Sequence, residues 1–365
     1  MDNKRKHYLD NIRWVVSIAV VIYHVIYMYN AEDIPGVVGK ITNMKVQFFD
    51  AYQYMVYPWL MPIFFVVSGI SAKLYLDKHT GKEFIKDKTR RLLVPSTLGL
   101  LAFQFLQGMI NIRLSNAYDT MAQMPFPGNV IGLTIATVLS GVGVLWYMQL
   151  LWVICLILLL IRLIEKGHLL KVANKTPIWL IFLFAIPVWV FGLILNTPII
   201  AVYRLGFYTA FFLLGYFVFS SEELMEKIKK CFPIFLVIAI ALGALFTILY
   251  FGQNYADKPI NRNPLFASYG YFGSLAILSG FAKYFDFSNS FTSFMSKRSL
   301  GLYVFHYLGI SAVGLFLAKN GLLPAIVIFP LSLIAGLITG FGFYELISRI
   351  PVYRWFVLGI KKKKA

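Results

Sequence analysis

The chain has 365 residues, of which 59% are hydrophobic and only 14% are charged, and its mean hydropathy is +0.72. Soluble domains are about 45–50% apolar and about 25% charged, so this composition excludes an ordinary water-soluble protein. The excess of 34 basic over 16 acidic residues suits a membrane protein with basic cytoplasmic loops and gives no reason to expect a nucleic-acid partner. The sequence therefore predicts an integral membrane protein.

Apolar runs of about 20 residues, the length that crosses a bilayer, predict ten transmembrane helices. They cover 14–30, 54–76, 92–112, 145–164, 177–196, 203–220, 232–251, 264–283, 299–318 and 324–348. If the N-terminus lies in the cytoplasm, 27 of the 34 basic residues fall on cytoplasmic segments, in agreement with the positive-inside rule. The prediction is an all-α membrane bundle with both termini cytoplasmic, in which 361–365 form a basic tail.

Residues 130–144 form an additional apolar segment that is rich in Gly, Ser and Thr. Counting this segment as an eleventh crossing would invert everything after it and place many basic residues outside. It is also short for a crossing, at about 15 residues. We therefore predict that it is a re-entrant or outer-surface segment.

His24 and His306 lie inside predicted spans. Placing an ionisable side chain in the membrane interior costs about 2.5–3.5 kcal/mol, so such a residue is by default a candidate for a functional site. Arg13 precedes His24 by eleven residues, close to three helical turns, so both project from one helix face about 16 Å apart. An extended pantetheine arm has about this reach, so one ligand would bridge a phosphate at Arg13 and a thioester at His24. The simpler alternative is that Arg13 is only a positive-inside anchor and that His24 is only hydrogen-bonded between helices. For the two residues together we favour a functional role.

Six stretches resemble the acyltransferase 3 family of membrane proteins, and they occur in the family's order over nearly the whole chain. They are YLDNIRWVVSIAVVIYHV (8–25), with its Arg, ten residues and His; FFVVSG (64–69); KTRRLLVPS (88–96); LWYMQLL (145–151); SLGLYVFH (299–306); and YELISRIPVYRWFVLG (344–359). The chain is thus identified as a member of this family, with 1–365 as a single transmembrane acyltransferase domain.

One departure from the family pattern refines the resemblance. Many members have an Asp just before two phenylalanines, and Met61-Pro62-Ile63 stands there in this chain. That feature is nearer to the glucan-modifying branch, the osmoregulated glucan succinyltransferases.

The resemblance implies an O-acyltransferase of the bacterial cytoplasmic membrane. It would move an acetyl or succinyl group from cytoplasmic acyl-CoA to a hydroxyl of a carbohydrate or glycolipid at or beyond the outer face. Apart from these substrates, membrane lipids are the expected partners, and no metal is expected. The sequence is compatible with an oligomer and with a monomer. Neutral His24 would be the general base.

Further residues are assigned to the two substrates of this reaction. Arg90 and Arg91 would join Arg13 on the phosphates of coenzyme A, since arginine binds phosphate in a bidentate manner, whereas Lys82 and Lys86 are assigned to lipid phosphates. The candidates for the acceptor side and for proton movement are His306, Tyr303, Ser68 and Arg204. Ser68 also belongs to a small-residue patch (68–71) that would let two helices approach closely.

The rival hypothesis is a proton-coupled secondary transporter or a lipid or glycan flippase, in which His24 and His306 are proton or substrate sites. Transporters commonly contain two related halves. The second half of this chain has no counterpart of the Arg13 to His24 pattern, which favours the enzyme.

Overall fold

The structure, a computed structural model, describes residues 5–32, 36–115, 117–173, 175–195 and 203–361, and the regular elements within them are helical. In chain order the main helices are α1 (His7–Met28), α2 (Phe48–Leu76), α3 (Gly81–Leu114), α4 (Gly128–Gly141), α5 (Gly143–Glu165), α6 (Ile178–Leu193), α7 (Leu205–Val218), α8 (Glu222–Lys230), α9 (Phe232–Tyr250), α10 (Pro264–Tyr284), α11 (Ser290–Ala318), α12 (Ala325–Arg349) and α13 (Pro351–Leu358).

The predicted all-helical membrane fold is confirmed. In the described residues eight helices are long and apolar enough to cross a membrane: α1, α2, α3, α5, α9, α10, α11 and α12. A ninth span results if α7 and α8, which meet at a bend of 110°, are counted as one. Apolar length alone therefore gives eight or nine crossings, against about ten predicted. The cytoplasmic position of the termini stays a prediction.

Two of the ten predicted spans explain the difference in number. The predicted span 177–196 corresponds to α6, which is shorter than the roughly 20 residues that a crossing needs, and 203–220 corresponds to α7 and the bend that follows it. The segment 130–144 corresponds to α4, a helix of 14 residues. At 1.5 Å per residue α4 is about 21 Å long, which is less than the hydrocarbon thickness, as expected of a segment that does not cross. Of the predicted tail 361–365, only Lys361 lies within the described residues.

The helices divide into two compact units. The first unit combines the start of α1 up to Val16 with Tyr54–Lys86 and Leu150–Lys297. The second unit combines Ser17–Gln53, Asp87–Gln149 and the chain from Arg298 onward. Helix α1 is continuous and contributes residues to both units.

In the first unit glycines let α2 lie directly against its neighbours. A Cβ atom on Gly69 would overlap the carbonyl oxygen of Phe212 in α7, and one on Gly215 would overlap that of Val66 in α2. The predicted role of the small-residue patch in close helix approach therefore holds for Gly69. Such contacts are typical of membrane helices, whose association depends on packing because lipid is as apolar as the side chains it replaces.

In the second unit α11 packs closely on α12 and is hydrogen-bonded to α3. A Cβ atom on Gly309 would overlap the carbonyl oxygen of Ala335 in α12. From α3, Gln104 Nε2 donates to the carbonyl oxygen of Val304 at 2.7 Å, and Gln107 Nε2 lies 2.8 Å from Ser311 Oγ. These contacts fix both faces of the helix that contains His306.

Two glycines of α12 give a matched test of this packing. A Cβ atom on Gly340 would lie 3.0 Å from Leu302 Cα in α11, whereas one on Gly342 has nothing within 4 Å. We expect Gly340→Ala to lower the free energy of unfolding by about 1–3 kcal/mol, the usual effect of overpacking. Gly342→Ala should be neutral or slightly stabilising. Thermal unfolding in detergent measures both, and equal midpoints for the two variants would contradict the packing described.

Candidate active site

The two mid-span histidines are in direct contact within the second unit. His24 Nδ1 lies 2.8 Å from His306 Nε2, and the ring centroids are 5.0 Å apart. His306 is fully buried, whereas His24 in α1 is only half-buried. Nothing in the sequence placed these two rings side by side, because they are 282 residues apart.

The hydrogen bonds around His306 assign the proton positions in both rings. His306 Nδ1 lies 2.9 Å from the carbonyl oxygens of Leu302 and Tyr303, and because a carbonyl only accepts, this nitrogen donates. In the neutral ring His306 Nε2 then has the lone pair, so it accepts the proton of His24 Nδ1. His24 Nε2 is therefore left unprotonated, which is the form that a general base requires.

The surroundings of the pair are consistent with neutral rings. Among the described residues no carboxylate forms a hydrogen bond or ion pair with either histidine. An imidazolium in this position would be a charge in the membrane interior without a counter-ion. The described residues also contain no cluster of three or more His, Cys, Asp or Glu side chains arranged to hold a metal ion.

Aromatic side chains pack against the ring of His24. The centroid of Tyr307 lies 5.0 Å from that of His24 in an edge-on arrangement, and Tyr23 lies at 5.2 Å. Just after the end of α1, Tyr29 Oη lies 2.7 Å from Ser332 Oγ of α12. Sequence reasoning did not select Tyr307, although it directly follows His306 and would have been the obvious neighbour to consider.

A buried acidic residue, also absent from the sequence-based candidates, fixes the chain that follows α1. Asp50 is 6% exposed, and its Oδ2 accepts from the backbone of Ala31 at 3.1 Å and from Gln47 Nε2 at 3.0 Å. Gln47 Nε2 also donates to the carbonyl oxygen of Tyr29. The signal in the sequence was a lone carboxylate just before the second predicted span. These contacts anchor the C-terminal end of α1, the end that is predicted to face the outside.

Arg13 is held in the first unit by two side chains. Its guanidinium donates to Asp10 Oδ1 at 2.8 Å and to Ser71 Oγ at 2.5 Å. Ser71 in turn donates to the carbonyl oxygen of Val67. The contact with Ser71 was not predicted. Ser68, a candidate for the acceptor, lies one turn earlier on α2 and is half-buried.

Arg90 and Arg91 share one carboxylate in the second unit but differ in exposure. Both donate to Asp87, and Arg90 also donates to the carbonyl oxygen of Gly359. The side chain of Arg90 is 13% exposed and that of Arg91 is 61% exposed. Gly359 has φ +63°, and a Cβ atom there would meet the backbone of Arg90. Arg90 therefore connects α3 to the C-terminal segment, and Arg91 is the more accessible of the two cations.

The remaining candidates are engaged inside the protein. Tyr303 Oη donates to the carbonyl oxygen of Val144 at 2.7 Å. Arg204, just before α7 in the first unit, is 4% exposed and lies over the rings of Phe207 and Phe266 at 4.2 and 4.9 Å. Burial lowers the pKa of the Arg204 guanidinium. No carboxylate lies within salt-bridge distance of it in the described part of the chain, so the aromatic faces and the carbonyl oxygen of Asn261 stabilise its charge.

Comparison with known proteins gives one decisive match. The profile of the family Acyl_transf_3, described as an acyltransferase domain, matches residues 6–345. The chain belongs to this acyltransferase family. With its membrane-spanning helices, the match identifies a multi-pass membrane O-acyltransferase. Neither the curated proteins nor the solved structures gave a significant match.

The different surroundings of Arg90 and Arg91 lead to a stability prediction. Arg90→Gln removes a charged donor from Asp87 and from a backbone carbonyl, and we expect it to lower the free energy of unfolding by about 1–3 kcal/mol. Arg91→Gln, on the same turn, should change it by less than about 0.5 kcal/mol because the side chain is mostly exposed. Thermal unfolding of the two purified variants measures the difference, and an equal loss in both would refute the role given to Arg90.

Proposed function

We propose that this membrane acyltransferase moves an acetyl or succinyl group from cytoplasmic acyl-CoA to a hydroxyl of a carbohydrate or glycolipid beyond the bacterial cytoplasmic membrane, with His24 as general base. The observation on which this depends is the hydrogen bond between His24 and His306. In this hydrogen bond His24 Nδ1 donates its proton to His306, so His24 Nε2 has the lone pair that a base needs. The family match supports the reaction class, and the base supports a hydroxyl acceptor.

The proposed reaction needs only these groups and the two substrates. His24 Nε2 takes the proton of the acceptor hydroxyl as the hydroxyl oxygen attacks the thioester carbonyl. The tetrahedral intermediate collapses by breaking the C–S bond, and the coenzyme A thiolate leaves with the proton that His24 has held. The products are an acyl ester and free coenzyme A, and His24 returns to its neutral form.

His306 acts in this scheme through His24 and is a positioning residue. Its Nδ1 is fixed by two carbonyl groups, so its Nε2 always presents a lone pair to His24. This holds the His24 ring in one orientation and one tautomer, because the hydrogen bond of one ring nitrogen determines the protonation of the other. Its neighbour Tyr303 would support the same helix turn through Val144.

The donor and acceptor are assigned from charge and position. Arg13 and Arg91 would bind the coenzyme A phosphates, with Arg90 in support, and Ser68 and Arg204 are proposed for the acceptor side. Met61-Pro62-Ile63 suggests an acceptor of the glucan type. In the rival transporter or flippase the histidine pair would move protons without transferring an acyl group; the family match favours transfer.

His24→Ala tests the base directly. We expect transfer from acyl-CoA to fall by at least about a hundredfold, the usual contribution of a general base. Binding of acyl-CoA should persist, since the phosphates would contact other residues. The matched measurement is the thermal midpoint with acetyl-CoA, succinyl-CoA and free coenzyme A, where a ligand at a hundred times its Kd adds about 2.7 kcal/mol. Unchanged transfer in the variant would remove His24 from the mechanism, and a wild-type protein that no acyl-CoA stabilises would support the transporter.

Two substitutions of His306 separate positioning from packing. Glutamine offers an acceptor toward His24 and a donor toward the carbonyls of Leu302 and Tyr303, whereas phenylalanine fills the space and offers neither. We expect His306→Gln to retain clearly more transfer activity than His306→Phe. The pH profile is the second readout: with His306→Phe the acidic limb should shift, because His24 loses its fixed tautomer. Identical activities and pH profiles in the two variants would show that His306 has only a packing role.

A further inference from the structure

A basic pocket opens in the first unit beside the start of α1. It has a volume of about 340 Å³ and lies between the first turns of α1 and the end of α2. Within the described part of the chain, four cations line it: Arg5, Lys6, Arg13 and Lys78. The volume is within the range of small-molecule sites, about 300–1,000 Å³.

The pocket has an excess of positive charge. Asp10, the one carboxylate among the described residues that line it, is already bound by Arg5 at 2.7 Å and by Arg13 at 2.8 Å. Lys6 lies 3.5 Å from Glu222, but that carboxylate is 81% exposed, and such exposed pairs contribute little. Lys78 is exposed, and in the described residues no carboxylate lies within salt-bridge distance of it. Cations collected around one cavity repel one another, so an anion with several charges would relieve the repulsion.

The pocket also has a fixed element on which a ligand can be oriented. Arg13 is only partly exposed, and its guanidinium is held by Ser71 of α2 as well as by Asp10. A guanidinium held in this way keeps its positive charge at a fixed place beside the pocket, while the lysines supply mobile point charges. The combination is suited to a ligand with more than one phosphate group.

We infer that this pocket receives the phosphate-bearing nucleotide end of the acyl donor, coenzyme A with its pyrophosphate and 3′-phosphate. The inference rests on the proposed function and adds Arg5, Lys6 and Lys78 to the residues that contact the donor. Arg13 precedes His24 by eleven residues of the continuous helix α1, which is about 16 Å along its axis.

The phosphate chemistry also suits an anionic lipid headgroup, and the experiment distinguishes the two sources. The test variant is Lys6→Gln with Lys78→Gln, which removes two pocket cations and leaves Arg13 in place. The control variant is Lys82→Gln with Lys86→Gln, which removes two exposed cations of the adjacent α3 outside the pocket. Affinities for coenzyme A and for 3′-dephospho-coenzyme A are measured by titration of the full-length protein in neutral detergent. The unliganded thermal midpoint of each variant shows whether it is folded.

If the inference is correct, the wild type binds coenzyme A more tightly than its dephospho form. The pocket variant should lose about tenfold in affinity for coenzyme A together with most of this preference, since charge-assisted bonds to phosphate are lost. The control variant should behave as the wild type. The affinity of the wild type should also fall as salt is raised.

Three results would overturn the inference. Equal coenzyme A affinity in the pocket and control variants would exclude the pocket while leaving the acyl-CoA donor intact. An unchanged coenzyme A affinity, combined with lost stabilisation by phosphatidylglycerol in nanodiscs, would assign the pocket to lipid. A wild type that binds neither form of coenzyme A would instead contradict the proposed function itself, and with it this site.

Discussion

The hydrogen bond between His24 and His306 is the interaction on which the proposed chemistry depends, and it follows from the solvent that surrounds the helices. Within a membrane every polar group must find its partner in the protein, because no water is available to replace it. His306 meets this demand at both nitrogens, through the carbonyls of Leu302 and Tyr303 on one side and His24 on the other. The hydrogen bond with His306 thus determines the role of His24 Nδ1, and His24 Nε2 is the nitrogen proposed as the base. In this proposal the same contact satisfies buried polar groups and prepares the base.

Close helix packing supplies the precision that this arrangement needs. Glycines bring α11 and α12 into backbone contact at Gly309 and Gly340, and Gly336 of α12 lies beside the carbonyl of His306. Side chains of ordinary size would separate the helices and would move the turn that binds His306 Nδ1. In lipid no hydrophobic force holds the helices together, so small residues and interhelical hydrogen bonds determine their positions.

In each unit one aspartate binds two arginines. Asp10 accepts from Arg5 and Arg13, and Asp87 accepts from Arg90 and Arg91. In each case one carboxylate orients two cations, and the group keeps a net positive charge. Both acids stand three residues before an arginine in a helix, a spacing at which side chains meet, so the pairing was available in the sequence. The predictions for Arg13, Arg90 and Arg91 considered the cations alone, and they therefore missed that Arg90 is also committed to Gly359.

The sequence by itself determined the membrane class, the helical fold and the family, because these depend on local apolar runs and on motifs read along the chain. It also identified His24 and His306 as residues whose polarity needs an explanation in hydrocarbon. At 177–196 and 203–220, where the sequence predicts two spans, the structure has a short helix and a bent pair of helices, since apolar content does not reveal where a helix is shortened or bent. Only the tertiary structure decided that His24 and His306 touch, that Ser71 holds Arg13, and that Tyr303 and Arg204 are engaged by Val144 and by aromatic rings. Those contacts join residues far apart in the chain, and the packing of whole helices, which no local pattern encodes, determines which of them form.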